Sequence, residues 1–104
     1  MEKVITETNI QEILASSKVV MIDFWAAWCG PCRILIPTVD EIAEEFAGRA
    51  TIAKCNVEDC EDVAVTYGIR NIPALLYFKD GQLVDRSVGL VSKAEIEAKL
   101  NSLL

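Results

Sequence analysis

The chain has 104 residues, 52% of them hydrophobic, and its 16 acidic and 10 basic side chains give a formal net charge of -6. This size and composition predict one domain, residues 1–104, whose core needs no disulfide staples. The acidic balance argues against nucleic-acid and anionic-membrane binding, which need clustered Lys and Arg, and the absence of histidine removes the commonest general base and zinc ligand.

The N-terminal segment MEKVITETNI lacks the pattern of a signal peptide, and no apolar run approaches the length of a membrane span. We therefore expect a soluble, cytoplasmic protein. In a reducing compartment a C-x-x-C pair is more often catalytic or metal-binding than a structural staple.

The first predicted elements are a short edge strand and a helix. Val4 and Ile5 form an apolar pair that suits an edge strand. The apolar residues between 8 and 17 recur at helical spacing, and Thr8 with Gln11 fits a capping box. This pattern predicts a helix that begins at Thr8.

A buried strand follows, and one acid interrupts it. Val19 to Ile22 is a continuous apolar run, which is typical of a strand buried on both faces. Asp23 breaks the run, and a buried carboxylate is costly to ionise. Either Asp23 lies at an exposed position of the strand or its pKa serves a function.

Two cysteines come directly after this strand. Gly30 and Pro31 separate Cys29 from Cys32, so the backbone turns sharply there and can enter a helix at once. Cys29 is therefore predicted at or near a helix N-terminus, where unpaired N–H groups and the helix dipole favour a thiolate.

The helix that starts at the cysteine pair is long and amphipathic. Pro37 predicts a kink inside it, and Gly48 ends it. Residues 51–57 then read as a second buried strand. A strand, a helix and a strand in this order imply parallel pairing through a right-handed crossover. This arrangement puts the cysteines at the carboxyl end of a central strand, where open sheets place their sites.

The second half of the chain alternates helix, hairpin and helix. Residues 58–67 predict a short helix, and Pro73 must lie at the entrance of the next strand, where a cis bond is plausible. Asp80-Gly81 predicts a hairpin between strands 75–79 and 82–88. Ser92 and Glu95 fit a capping box for a C-terminal helix whose core face carries Ile96, Leu100 and Leu103.

Several short motifs resemble those of the thioredoxin family, and the match extends from the first predicted helix to the last. The motifs are WCGPC at residues 28–32, Asp23 in DFWA, the helix proline Pro37, the pair Ile72-Pro73, the hairpin KDG at residues 79–81 and the pair Val88-Gly89. The resemblance implies an α/β thioredoxin fold, a three-layer α/β/α arrangement with a central five-stranded mixed sheet and four helices. It also implies cyclic reduction of protein disulfides.

The resemblance assigns roles to four residues. Cys29 would be the nucleophile and Cys32 the resolving thiol that attacks the mixed disulfide. Asp23 resembles the family's buried acid, which helps to move the proton of the resolving thiol. Lys54 resembles the lysine near that acid, although a solvated lysine at a strand end explains it equally well. The other interpretation of the cysteines, a structural zinc site, would need Cys55 and Cys60 as the remaining ligands.

The substrate-binding surface implied by the resemblance is an apolar rim around Cys29. A cis bond before Pro73 would leave the backbone of Ile72 free to pair with an extended substrate segment. The rim is formed by Trp28, Gly30, Pro31, Val57, Ile72, Pro73, Val88 and Gly89. Trp25 is the better candidate for a packing role.

The two remaining cysteines depart from the simplest family pattern. Cys55 falls on a strand and is interpreted as a small buried hydrophobe. Cys60 resembles an extra cysteine of animal thioredoxins, and either a regulatory or a passive thiol remains open for it.

The implied partners are a thioredoxin reductase and oxidised proteins such as peroxiredoxin-like or ribonucleotide-reductase-like enzymes. The redox group is the Cys29–Cys32 disulfide itself, so no cofactor and no metal are expected, and the protein is expected to be a monomer. Two other functions remain open: an oxidase or isomerase with the same fold, and a noncatalytic binding subunit. Histidine is usual between the cysteines of oxidases, and this chain has none.

Overall fold

The computed structural model describes residues 2–104 and contains one mixed sheet with helices on both faces. In chain order the elements are β1 (Lys3–Val4), α1 (Ile10–Leu14), β2 (Val19–Trp25), α2 (Gly30–Glu45), β3 (Thr51–Asn56), α3 (Glu61–Thr66), β4 (Ala74–Lys79), β5 (Gln82–Val88) and α4 (Lys93–Leu103). None of the helices in this described part is long and apolar enough to cross a membrane.

The five strands lie in the order β1-β3-β2-β4-β5. β3 pairs in parallel with both β1 and β2, whereas β4 is antiparallel to β2 and to β5. The parallel β2–α2–β3 unit and the antiparallel β4–β5 hairpin are both confirmed. They make β2 the central strand, so the cysteine pair follows the middle of the sheet.

β2 divides the core into two halves because its side chains alternate between the two faces of the sheet. Val19 and Met21 pack in the cluster that α2 and α4 cover. Val20, Ile22 and Phe24 pack in the cluster on the α1 and α3 side. The predicted three layers are therefore present, and the odd-numbered face of β2 is the one beneath α2.

The predicted amphipathic helix α2 is present. Its apolar positions Leu35, Val39 and Ile42 are buried against the sheet. The helix continues through Pro37 to Glu45. It therefore spans the sheet as one element that begins at the cysteine pair.

The capping box predicted for α1 is wrong. The N-cap is Asn9, and neither it nor Thr8 caps the helix with a side chain. Asn9 Oδ1 instead accepts from the Thr6 N–H at 2.7 Å, and its Nδ2 donates to the Val4 carbonyl at 2.8 Å. Because the Asn9 side chain is hydrogen-bonded to the preceding loop, it does not cap α1, and no capping box forms with Gln11.

Several element boundaries differ from the prediction, among them the start of α1 at Ile10 and the start of β4 at Ala74. β1 is one residue earlier, at Lys3–Val4, and β3 ends at Asn56. α3 starts only at Glu61, with Cys60 as its N-cap. The later start of α3 has a local cause. Asn56 Oδ1 accepts from the Glu58 N–H at 2.9 Å and stabilises a turn before the helix.

The hairpin and the capping box predicted for the C-terminal third are confirmed. Asp80 and Gly81 both have positive φ, at 52° and 80°, as a tight hairpin turn requires. Ser92 and Glu95 form both bonds of the capping box at the start of α4. Ile96 and Leu100 are buried in the core, and Leu103 packs at its border.

Candidate active site

Cys29 and Cys32 are joined by a disulfide at the N-terminus of α2. Cys29 is the N-cap residue, and its Sγ accepts from the backbone N–H of Cys32 at 3.2 Å. This N–H and the positive end of the helix dipole stabilise negative charge on Cys29 when the pair is reduced. Cys29 is 6% exposed and Cys32 is 1% exposed, so Cys29 is the more accessible residue of the pair.

The loop before β4 faces the disulfide. Cys29 Sγ lies 3.8 Å from the carbonyl oxygen of Ile72, and the Ile72-Pro73 bond is cis, as predicted. The Pro73 carbonyl accepts from the Gly89 N–H at 2.8 Å. The Ile-Pro loop and the Val88-Gly89 pair, distant in sequence from the cysteines, are thus brought to the same end of the sheet.

The predicted rim residues divide into exposed and packed groups. Trp28 is 66% exposed and Val88 is 56% exposed. Val57 and Ile72 are half-buried and pack against the two cysteines, together with Trp25. Packing there agrees with the role predicted for Trp25, and exposure agrees with the surface role predicted for Trp28.

Glycine leaves open space at two predicted rim positions. A Cβ atom built on Gly30 or on Gly89 would meet nothing within 4 Å. Gly89 also has a φ of +94°, which side-chain-bearing residues rarely adopt. Both positions leave the backbone beside the cysteines accessible.

Asp23 is a buried carboxylate on the sheet face that α2 covers. Its residue surface is 3% exposed, and Oδ1 has no hydrogen-bond partner among the described residues. Burial raises the pKa of Asp23 to about 7, Glu2 acts in the same direction, and Lys54 opposes them. An acid with that pKa can both hold and release a proton near neutral pH.

Lys54 lies beside Asp23 on the neighbouring strand, since the two residues are paired in the register of β2 and β3. Its Nζ lies 3.2 Å from Glu2 Oε1 and 5.9 Å from the centre of the Trp25 ring. The Lys54 side chain is 34% exposed. Lys54 is therefore held by the N-terminal segment, and it is not a freely solvated lysine.

Glu2 was not predicted, although it is the only acid for which the structure records an ion pair with Lys54 among residues 2–104. Its side chain is only 12% exposed. One signal points to it in retrospect. Val4 is paired with Lys54 in β1 and β3, and residues two apart on a strand share a face, so Glu2 falls on the Lys54 face.

A small cavity adjoins Asp23. Its water-accessible volume is about 20 Å³, enough for about one water molecule. It is lined by Glu2, Asp23, Trp25, Ile36, Val39 and Lys54. A wider groove of about 440 Å³ outside it is lined by Glu2, Asp40, Glu41, Ala43, Glu44 and Lys54. Glu2 and Lys54 line both spaces.

Cys55 and Cys60 are buried thiols on the other side of the sheet. They pack in the α1 and α3 half of the core, whereas Cys29 and Cys32 form their own cluster at the end of β2. Burial raises the pKa of both thiols, and Cys60 Sγ donates to the Ile5 carbonyl at 3.2 Å. Cys55 is therefore the buried small residue that the sequence predicts, and the four cysteines do not converge on one point.

Across residues 2–104, no group of three or more His, Cys, Asp or Glu side chains is arranged to hold a metal ion. The redox-active group of the site is the protein's own disulfide.

Sequence and structure comparisons agree on one family. The thioredoxin family profile matches residues 1–102. Thioredoxin 2 of Chlorobaculum tepidum is 50% identical over 97 residues, covering 92% of this chain and 89% of its own length. Thioredoxin 1 of a Nostoc species is 46% identical over 102 residues, covering 98% and 95%.

A solved structure has the same fold. It is a mutant thioredoxin from Halobacterium salinarum, with a TM-score of 0.92 and 33% sequence identity, and the match covers 98% of this chain and 89% of that one.

Proposed function

This chain belongs to the thioredoxin family and is a thiol-disulfide oxidoreductase that reduces protein disulfides, and we propose that Cys29 is its nucleophile and Cys32 its resolving thiol. The observation that carries the assignment is their difference in position. Cys29 caps α2 and is the more exposed residue, whereas Cys32 lies one turn inside the helix and is almost fully buried.

Reduction of the substrate disulfide proceeds in two steps. In the reduced protein, the Cys29 thiolate attacks one sulfur of a substrate disulfide, which forms a mixed disulfide and releases the first substrate thiolate. Cys32 then loses its proton and attacks Cys29 Sγ, which releases the second substrate thiolate and forms the Cys29–Cys32 disulfide. The substrate gains two electrons, and the protein ends in the oxidised state that the structure describes.

Asp23 is proposed as the acceptor of the Cys32 proton. The support is its position beneath the middle of α2, where it shares a cavity with Ile36 and Val39, and its pKa of about 7. Lys54 is proposed to modulate Asp23 by its positive charge, since it is the nearest residue on the paired strand.

The rim around Cys29 is proposed as the substrate surface. It comprises Trp28, Gly30, Pro31, Val57, Ile72, Pro73, Val88 and Gly89. No backbone carbonyl within residues 2–104 accepts from the Ile72 N–H, which supports pairing of that N–H with an extended substrate segment. The exposed ring of Trp28 offers a flat apolar contact that suits many different proteins.

The family implies a thioredoxin reductase as electron donor and disulfide-containing proteins as acceptors. We further propose peroxiredoxin-like and ribonucleotide-reductase-like proteins as substrates, a monomeric state, one domain over residues 1–104 and a reducing, cytoplasmic location. The thiols of Cys55 and Cys60 support a reducing compartment. Light scattering at working concentration tests the monomer, and a dimer would contradict it.

A Cys32→Ser variant tests the assignment of the two cysteines. Without the resolving thiol, the mixed disulfide on Cys29 persists, so the reduced variant is expected to accumulate a covalent adduct with insulin that mass spectrometry detects and dithiothreitol removes. In a cell lysate it is expected to trap many disulfide proteins, which identifies the substrates. A variant that gives no adduct, or that binds one protein without a covalent bond, would instead support a noncatalytic subunit.

In the same background, Trp28→Ala tests the substrate surface. The rate of adduct formation with insulin is expected to fall about tenfold, since the variant loses an aromatic anchor. The rate with a small aromatic disulfide should not change, because the thiolate is untouched. Val65→Ala is the matched control, an exposed apolar residue on α3. Equal losses in both variants would remove the special role of Trp28.

A further inference from the structure

Lys54 stands between two carboxylates and is paired with the one outside the core. Asp23 lies beside it in the sheet, while Glu2 reaches its ammonium group from the N-terminal segment at 3.2 Å. Asp23 Oδ1 remains without a partner among the described residues, although a cation is on the next strand. The partner of Lys54 is therefore Glu2, a residue that no motif of the chain predicts.

We propose that Glu2 is a positioning residue for Asp23: it holds the ammonium group of Lys54 and adds its own negative charge beside the cavity, and both effects favour the protonated form of Asp23. The inference rests on the proposed role of Asp23 as proton acceptor for Cys32. It adds to that role a residue far from the cysteine motif that sets the pH range of the proton transfer.

The two effects of Glu2 act in the same direction. A negative charge near Asp23 disfavours its ionised form, and a cation held by another partner stabilises that form less. The pKa shift of Asp23 agrees with this, since burial is its main cause and Glu2 the next, with Lys54 opposing both. Burial also raises the pKa of Glu2, the nearby carboxyl group of Asp40 acts in the same direction, and Lys54 lowers it.

The other charges near this cluster come from α2. Asp40, Glu41 and Glu44 line the groove outside Glu2 and Lys54. Within residues 2–104 none of these three acids forms an ion pair with Lys54, whose recorded partner is Glu2. Glu2 is thus distinguished from its acidic neighbours by a direct contact with the lysine.

The contact between Glu2 and Lys54 also lies at the border of the cavity. Glu2 and Lys54 line both the space beside Asp23 and the groove that opens to solvent. Asp23 and the two residues of this contact therefore border one small space, in which a change at Glu2 can act on Asp23.

The test measures the titration of Asp23 in the oxidised protein by the ¹³C shift of its carboxyl group, with Asp23→Asn to assign the signal. In Glu2→Gln the midpoint is expected to fall by about one pH unit, because Lys54 turns to Asp23 and a like charge is lost. Glu44→Gln is the matched control, since it removes the same charge from the same groove without a contact to Lys54. Circular dichroism checks that each variant is folded.

A double-mutant cycle with Lys54→Gln separates the two effects. Lys54→Gln alone should raise the midpoint of Asp23, and Glu2→Gln should then lower it by less than half as much as it does with Lys54 present. An equal drop in both backgrounds overturns the part assigned to Lys54. An unchanged midpoint in Glu2→Gln, or an equal drop in Glu44→Gln, overturns the proposal. This readout needs no turnover, so it fails or succeeds independently of the catalytic role of Asp23.

Discussion

A Cys29→Ser variant is expected to lose disulfide reduction by at least about 10³-fold, since a serine hydroxyl cannot replace the thiolate that attacks the substrate sulfur. The loss should not come from misfolding. Cys29 is at the N-cap, and serine is a preferred N-cap residue that can accept the same bond from the Cys32 N–H. The N-terminus of α2 should therefore survive the change.

The assay is insulin reduction coupled to NADPH oxidation by a thioredoxin reductase. Cys60→Ala is the control for loss of a cysteine as such, because Cys60 is buried on the other side of the sheet and should leave turnover largely unchanged. Substantial turnover by Cys29→Ser would refute the assignment of the nucleophile. Equal loss in Cys60→Ala would show that the assay reports stability and not chemistry.

Asp23→Asn is expected to make the protein more stable at high pH and to flatten its dependence on pH. The pKa of Asp23 is about 7 in the folded protein, against an ordinary value of 3.8. The contribution of this group to stability is thus fully present below pH 3.8 and is lost as the pH rises through about 7. At about 1.4 kcal/mol for each pH unit, ionisation of Asp23 costs the folded state about 4 kcal/mol above pH 7.

Urea unfolding of the oxidised protein at pH 4 and pH 8 measures this effect. The difference between parent and Asp23→Asn isolates Asp23, since all other titrating groups are common to both. If the two proteins lost the same free energy of unfolding between these pH values, Asp23 would not be a buried acid with a raised pKa. A single transition by both fluorescence and circular dichroism is expected for one domain.

The same variant should reduce insulin more slowly at neutral pH, because asparagine cannot accept the proton of Cys32. Attack by Cys29 on a small disulfide should be affected less, since that step needs no proton acceptor once the thiolate is formed. A pH–rate profile identical to that of the parent would remove Asp23 from the mechanism.

The cysteine pair, Pro73 and Asp23 can be recognised from local sequence, whereas Lys54 and the rest of the rim are predicted only by the resemblance to the family. Cys29, Cys32 and the turn between them are contiguous, and Pro73 is recognisable by its missing N–H before an apolar run. Asp23 was recognisable because a carboxylate in a buried strand is costly. Each of these signals depends on a few neighbouring residues.

What could not be predicted depends on contacts between distant segments. Glu2 comes close to Lys54 only because β1 pairs with β3. The two residues of β1 do not themselves indicate which strand they pair with. The wrong prediction of a capping box at α1 has the same origin, since the Asn9 side chain is hydrogen-bonded to the loop that joins β1 to the helix. Both cases lie in the N-terminal segment, where the local pattern is weakest.

The central claim, that the Cys29–Cys32 pair is a reductant of protein disulfides, is tested most directly by the reduction potential of that couple. Equilibration with glutathione or dithiothreitol buffers, followed by alkylation and mass spectrometry, gives the value. The account predicts a potential close to the one typical of thioredoxins, about −270 mV. A value near about −120 mV, typical of a periplasmic oxidase, would contradict it.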